Sequence, residues 1–211
     1  MATSQGYGFD IVSQPRCCRR WTFSPGSNHP PPSSPRITLV KWTPPRPGWA
    51  KLNFDGSVFH DGSGRASIGG AIRDGNGRVL LAFAEQTAHA PVGVVEGRAL
   101  IRGLQLALDL GCRRLLVEGD DLTLVRLLRC ESAQTRISPE MLDRIIWLLD
   151  SFDVCEVQHV YREGNAVADA LCHEAYKTAE GRVWTDRLVP FKVWEKLEDD
   201  RRGVVHERVR K

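Results

Sequence analysis

Apolar and polar residues alternate along the first half of the chain in the pattern of β-strands. Residues 50–58 alternate in this way, which predicts a half-buried strand with Asp55 on its polar face. Two further apolar runs, 66–73 and 78–84, flank the sequence Asp-Gly-Asn-Gly at 74–77, a strong hairpin turn signal. The first half therefore predicts a three-stranded antiparallel meander.

The second half alternates helical and extended patterns. Leucine and alanine recur at helical spacing from Glu96 to Leu110, and Gly111 predicts the end of that helix. Ser138 followed by Pro139 predicts the start of a later helix. The other elements are, in order, strand 113–117, helix 120–129, helix 139–152, strand 154–161 and helix 166–178. The order βββαβααβα predicts an α/β fold with a five-stranded mixed sheet, three antiparallel strands and then two parallel ones, and helices on both faces.

Composition changes at both ends of this patterned region. Nine of the 12 prolines lie at or before Pro47, in a segment with few aliphatic residues. Such a segment buries too little surface to offset the entropy of ordering. We therefore predict a disordered, basic, Pro/Ser-rich leader over 1–40, one folded domain over 41–192, and a charged C-terminal tail over 193–211.

Charge and hydropathy limit the classes of partner. Residues 49–200 carry 18 basic against 24 acidic residues, so the net charge of +3 comes from the basic ends. Nonspecific attraction to nucleic acid is therefore expected from those ends. No apolar run reaches the roughly 18 residues of a membrane span, so no membrane association is expected. Without a secretion signal the protein is expected inside the cell, in nucleus or cytoplasm, and organelle targeting by the leader stays an open alternative.

Four acidic residues occupy positions where a carboxylate is unusual: Asp55, Glu96, Asp120 and Asp169. Each has a simpler explanation, namely stabilisation of a helix N-terminus for Glu96 and Asp120, and an exposed polar position for the other two. However, the first and fourth strands can lie side by side, which would bring Asp55 and Asp120 together beside Glu96. Clustered carboxylates repel each other unless divalent cations neutralise them, and oxygen ligands suit magnesium or manganese.

The motifs around these acids resemble a known family. In chain order they are Asp55-Gly56-Ser57, Glu96 with Ala99 and Gly103-Leu104, Glu118-Gly119-Asp120, and Asn165-x-x-Ala168-Asp169-Ala170-Leu171. Over residues 41–192 this ordered set resembles type-1 ribonuclease H, in particular the plant, retroelement-type domains.

The resemblance implies an endoribonuclease that hydrolyses the RNA strand of RNA–DNA hybrids with two Mg²⁺ ions, or Mn²⁺ as a substitute. The implied catalytic and metal-binding residues are Asp55, Glu96, Asp120 and Asp169, with Asp55 bridging the two ions. Contacts to the hybrid are expected from Asn53, Gly56, Ser57 and Asn165. Recognition through duplex shape and 2′-hydroxyls predicts no sequence specificity. We expect a monomer.

Three positions depart from the family pattern. Where many members have a mobile histidine before the last helix, this chain reads Arg162-Glu163-Gly164, and His159 lies in the preceding predicted strand. The basic protrusion that some members use to hold the hybrid has no counterpart between Arg129 and Val154. Asp121 adds a fifth acid whose role the sequence leaves open.

Two other functions are compatible with this pattern. A domesticated, retroelement-derived module with weak or no catalysis would keep the fold and serve nucleic-acid binding or protein interaction. An integrase-like or Holliday-nuclease-like relative would share the acidic fold, but the Asp-Gly-Ser and Asn-x-x-Ala-Asp motifs argue against it.

Overall fold

The computed structural model describes residues 37–59, 61–178, 180–185 and 188–209. Its helices and strands are, in chain order, β1 (Ile37–Val40), β2 (Ala50–Val58), β3 (Ala66–Arg73), β4 (Val79–Thr87), α1 (Val92–Asp109), β5 (Arg114–Gly119), α2 (Leu122–Leu128), α3 (Pro139–Asp150), β6 (Val154–His159), α4 (Ala166–Ala175), β7 (Arg182–Trp184), α5 (Phe191–Arg202) and β8 (His206–Val209). Six of these strands form one sheet in the order β6-β5-β2-β3-β4-β7, and β1 pairs with β8 in a separate two-stranded ribbon.

The main sheet is mixed, as predicted. Strands β2, β3 and β4 form the antiparallel meander, while β5 and β6 run parallel to β2. This confirms the α/β fold class. The sixth strand, β7, was not predicted, because its three residues are too few to show an alternating pattern. The predicted leader lies outside the described residues except for its last four, which form β1.

Each face of the sheet is covered by helices and has its own apolar layer. On one face α1 packs on β2 and β3, and the layer includes Leu52, Phe54 and Leu100, all fully buried. On the other face α4 and α5 cover small residues of β3 and β4, such as Ala71. Gly111 has a φ of 73°, so it provides the left-handed residue that ends α1, as predicted. Among the described residues, no helix has the length and apolar character needed to cross a bilayer.

Strand β2 is buried on both faces, which corrects the prediction of a half-buried strand. On its polar face Lys51 and Asn53 are only 1% and 0% exposed. The Asn53 amide accepts hydrogen bonds from Trp42 Nε1 (2.9 Å) and Arg73 Nη2 (2.8 Å), and donates to Glu118 Oε2 (3.1 Å). A buried polar network, composed of Trp42, Lys51, Asn53, Arg73, Glu118 and Asp200, therefore fills the space where solvent was expected.

The C-terminal segment is part of the fold. Residues 193–211 were predicted as a charged tail, whereas the structure places most of α5 and all of β8 there. The apolar side chain of Val193 is fully buried against α4 and β4, and Asp200 Oδ2 accepts a 2.6 Å hydrogen bond from Arg73 Nη1. Many of the charged residues of α5 lie on its outer face, which explains why the sequence pattern resembled a tail.

Asp200 is expected to be needed for stability because its partner cannot reach water. Arg73 is 1% exposed, so Asp200→Asn leaves a buried guanidinium without its counter-charge. We expect a loss of about 3 kcal/mol in the free energy of unfolding, measured by urea denaturation. The neighbouring Asp199 forms an exposed pair with Lys196 at 3.6 Å, so Asp199→Asn is the control and is expected to change stability by less than about 0.5 kcal/mol. Equal losses in the two variants would contradict the docking of α5.

Candidate metal and active site

Three carboxylates meet where the central strands end. Asp55 lies on β2, Asp120 directly follows the neighbouring parallel strand β5, and Glu96 lies near the start of α1. One carboxylate oxygen from each of the three residues lies within 4.8 Å of the other two. The structure thus brings together three of the four acids that the sequence singled out.

Gly56 allows this close approach of helix and strand. A Cβ atom at this position would lie 2.5 Å from the backbone nitrogen of Glu96, a distance at which the helix would have to move. The backbone of Gly56 also acts to lower the pKa of the Glu96 carboxyl, against the larger effects of burial and of Asp55. Gly56, which was expected to contact substrate, therefore also fixes the position of a site carboxylate.

The three carboxyl groups are destabilised in their charged forms. Burial, together with the nearby charges of Asp120 and Asp169, raises the pKa of Asp55 to about 7. Burial and the neighbouring Asp55 and Asp120 carboxylates raise the pKa of Glu96 well above its ordinary value. Burial also raises the pKa of Asp120. A cation bound among them would remove the repulsion and favour the ionised forms.

The donor set fits a hard divalent cation. Within the described part of the chain, two buried oxygens of this cluster, Glu96 Oε2 and Asp120 Oδ1, have no hydrogen-bond partner. A buried polar atom without a partner is costly, and a metal ion is one of the few groups that satisfy two carboxylates at once. The ligand atoms of the cluster are all carboxylate oxygens, which suits Mg²⁺ or Mn²⁺ rather than zinc.

Asp169, the fourth acid, lines an open cavity together with Asp55 and Asp120. It is on α4, and the cavity has a volume of about 410 Å³. Arg162 Nη2 donates a 2.8 Å hydrogen bond to Asp169 Oδ1, and His173 Nε2 lies 3.7 Å from Asp169 Oδ2. Sequence reasoning missed both basic residues. Two features of the sequence could have indicated them. Arg162 stands where the family pattern has a mobile histidine, and His173 follows Asp169 by one helical turn.

The residues expected to contact substrate differ in burial, and not all of their side chains face the cavity. Ser57 is half-buried and lines the cavity. Asn165 is 2% exposed and donates from Nδ2 to the backbone oxygen of Phe54 at 2.9 Å, next to Asp55. Asn53 is fully buried in the polar network, so its side chain does not face the cavity.

The structure assigns a local role to Asp121. Its carboxylate accepts hydrogen bonds from the backbone amides of Thr123 (2.8 Å) and Leu124 (3.2 Å), which makes it the N-cap of α2. It stabilises the helix that follows Asp120 rather than joining the three-carboxylate cluster.

His159 is the last residue of β6, as predicted for a strand position. Burial lowers its pKa, while the backbone and the carboxylate of Asp120 oppose that shift. His159 therefore lies beside a site carboxylate.

A larger cavity of about 650 Å³ lies against β5 and β6, away from the cluster. Its two buried ionisable side chains, Lys51 and Glu118, bond to each other at 2.6 Å. Because these charges already neutralise each other, the three-carboxylate cluster is the stronger candidate for a metal site.

Comparison with known proteins agrees with this geometry. A sequence-family model described as reverse transcriptase-like matches residues 53–175. Ribonuclease HI of Halobacterium salinarum is 29% identical over 149 residues, which cover 69% of this chain and 73% of that protein. This chain belongs to the ribonuclease H family. An Arabidopsis thaliana protein named as a ribonuclease H protein is 27% identical over 172 residues, which are 81% of this chain but only 27% of that longer protein.

Solved ribonuclease H structures share the fold. The crystal structure of the Halobacterium salinarum RNase H1 superimposes with a TM-score of 0.54 at 28% identity, over 61% of this chain and 98% of that one. LC11-RNase H1, solved in complex with an RNA/DNA hybrid, gives a TM-score of 0.56 at 24% identity over 61% of this chain and 96% of that one. The likeness to the second structure concerns the fold alone.

Removing the charge of Asp55 is expected to stabilise this ribonuclease H domain in the absence of metal. The folded pKa of about 7 lies above the ordinary value, so ionisation destabilises the fold progressively as pH rises from about 4 to 7. In EDTA at pH 8, we expect Asp55→Asn to unfold with a free energy about 1–3 kcal/mol higher than the parent, with the gain shrinking toward pH 4.

The control for this experiment is Asp153→Asn, at an exposed residue 4.0 Å from Arg113. It is expected to leave stability unchanged at both pH values. A gain for Asp55→Asn that is as large at pH 4 as at pH 8 would contradict the electrostatic explanation.

Proposed function

We propose that this protein is a metal-dependent endoribonuclease that hydrolyses the RNA strand of RNA–DNA hybrids. The observation that carries the proposal is the cluster of three carboxylates, two of them with a buried, unpartnered oxygen, between the central strands and the first helix of a ribonuclease H fold. A purely structural role gives no reason to bury three mutually repelling acids together.

The metal ligands in this proposal are the four acids. Asp55, Glu96 and Asp120 would hold one Mg²⁺ or Mn²⁺ ion, and Asp55 with Asp169 a second. When bound, such ions activate water for attack on a phosphodiester and stabilise the leaving 3′ oxygen, which leaves a 5′ phosphate. The high pKa of Asp55 in the free protein means that metal binding releases protons.

The remaining groups of the cavity suit a nucleic-acid backbone. Arg162 is 71% exposed and has donors beyond the one used by Asp169, in the planar arrangement that suits phosphate oxygens. Ser57 and the exposed His173 line the same cavity and are candidates for sugar and phosphate contacts. A hybrid differs from DNA duplexes in its 2′-hydroxyls and groove width, which supports recognition by shape without sequence specificity.

A binding module without catalysis is the second candidate. A degenerate copy of this fold has no reason to keep the acids of the site, yet all four are present, and two of them keep an unpartnered oxygen. This retention favours the enzyme.

Two neighbouring acids provide a sharp test of the site. The parent is expected to cleave a labelled RNA–DNA hybrid with Mg²⁺ and to stop in EDTA. Asp120→Asn removes a proposed ligand and is expected to lower cleavage at least about 100-fold. Asp121→Asn is the matched control, because asparagine caps a helix as well as aspartate does, and it is expected to stay within about twofold of the parent.

The outcomes separate the two candidates. A parent that binds the hybrid but leaves it intact with Mg²⁺ and with Mn²⁺ is the binding module. Equal cleavage by Asp120→Asn and the parent would remove Asp120 from the site. Equal cleavage of hybrid, duplex RNA and duplex DNA would contradict the proposed substrate class.

A further inference from the structure

The two ends of the described chain form one ribbon with a buried side. Strands β1 and β8 pair antiparallel, with Thr38 opposite Arg208 and Val40 opposite His206. Directly opposed residues of an antiparallel pair project to the same side. These four are the less exposed residues of the ribbon, while Ile37, Leu39 and Val209 on the other side are more than half exposed. The ribbon therefore lies against the body of the protein through the first set.

Both strands of the ribbon contact the active-site loop, Tyr161–Asn165. From β8, Arg208 Nη1 donates to Glu163 Oε1 at 3.1 Å and Oε2 at 3.0 Å, and its guanidinium lies over the Tyr161 ring, 4.7 Å from the centroid. From β1, Val40 packs against Gly164, where an added Cβ would be 3.3 Å from Val40 Cγ1. The loop is therefore held by two contacts, one with the Arg208 guanidinium of β8 and one with the apolar side chain of Val40 of β1.

The same loop contacts one site acid directly and contacts residues adjacent to two others. Arg162 bonds to Asp169, and Asn165 bonds to the backbone of Phe54 beside Asp55. The Tyr161 and His159 rings meet edge to face with their centroids 5.3 Å apart, and His159 lies next to the backbone of Asp120. A shift of this loop would therefore move Arg162 and, at the same time, the contacts made next to Asp55 and next to Asp120.

We propose that Arg208 is a positioning residue, through which the β1–β8 ribbon holds the active-site loop in the geometry that aims Arg162 at the metal and phosphate cavity. The ribbon lies outside residues 53–175, so the family match does not account for it. The catalytic consequence of this inference rests on the proposed ribonuclease function, whereas the contact of the ribbon with the loop is a property of the fold.

The contact of Arg208 with the loop can be lost without a large change in the free energy of unfolding of the domain. The Arg208 and Glu163 side chains are 40% and 31% exposed, so their pair contributes little to the free energy of unfolding. Between β6 and α4 the loop contains only a single turn of 3-10 helix, so its local closure depends on such contacts. Loss of Arg208 is therefore expected to loosen the loop without unfolding the domain.

The test compares Arg208→Met with Arg201→Met in the full chain. Arg201 is the matched control, because it forms a two-bond pair with Glu198 in the same C-terminal segment. For Arg208→Met we expect amide hydrogen exchange over residues 160–166 to accelerate, and kcat on a hybrid to fall, each about fivefold, with KM within about twofold and an unchanged denaturation midpoint. Arg208→Lys keeps a cation over Tyr161 and near Glu163, and is expected to recover most of both effects.

Each result decides the proposal. Unchanged exchange at 160–166 in Arg208→Met, or the same changes in Arg201→Met, would overturn it. Faster exchange with an unchanged kcat would also overturn it, because the loop would then be held without positioning the site. If the parent cleaves no hybrid, the proposed function fails, and hydrogen exchange alone then decides whether Arg208 holds the loop.

Discussion

The confinement of three carboxylates within 4.8 Å is the constraint on which the rest of this structure depends. Burial and mutual repulsion both oppose ionisation there, which is why the pKa values of Asp55, Glu96 and Asp120 are all raised. Left to local forces, such groups would move apart or turn to solvent. The fold therefore has to hold the backbone of all three residues in place.

The strongest of these features is the register between β2 and β5. Asn53 lies opposite Glu118 in this parallel pair, and their side chains bond at 3.1 Å. Two residues further along the chain from each come Asp55, on β2, and Asp120, directly after β5. Because a slip of one residue would turn every side chain to the opposite face, the Asn53–Glu118 bond selects the register that brings the two aspartates together. Lys51 reinforces it with a 2.6 Å bond to Glu118.

Much of the fold was predictable from the sequence because its signals are local. Alternation in 50–58, helical spacing after Glu96 and the cap at Ser138 depend on neighbouring residues, and the structure has an element at each. The convergence of Asp55, Glu96 and Asp120 was also predictable, since adjacent parallel strands end at the same edge of a sheet.

The features that were missed depend on contacts distant in sequence. The bond from Arg73 to Asp200 joins residues 127 positions apart, and neither residue has a local pattern that indicates a partner. The same holds for Arg208 and Glu163, which are 45 positions apart. A charged segment reads as an exposed tail unless its buried counter-charges are known, and this is why the C-terminal helix and strand were not predicted.

These distant contacts bear on where the domain begins and ends. Arg73 is buried between the Trp42 ring, 3.7 Å from its guanidinium, and Asp200. Trp42 and Asp200 both lie outside residues 53–175, on opposite sides of the family match. A chain limited to that match would leave Arg73 without its counter-charge and Asn53 without the hydrogen bond donated by Trp42. Both losses lie next to the Asn53–Glu118 bond, which selects the register of β2 and β5. We infer that the unit which keeps the site in place extends beyond the family match at both ends, because the charges that support the central strands are neutralised from outside it.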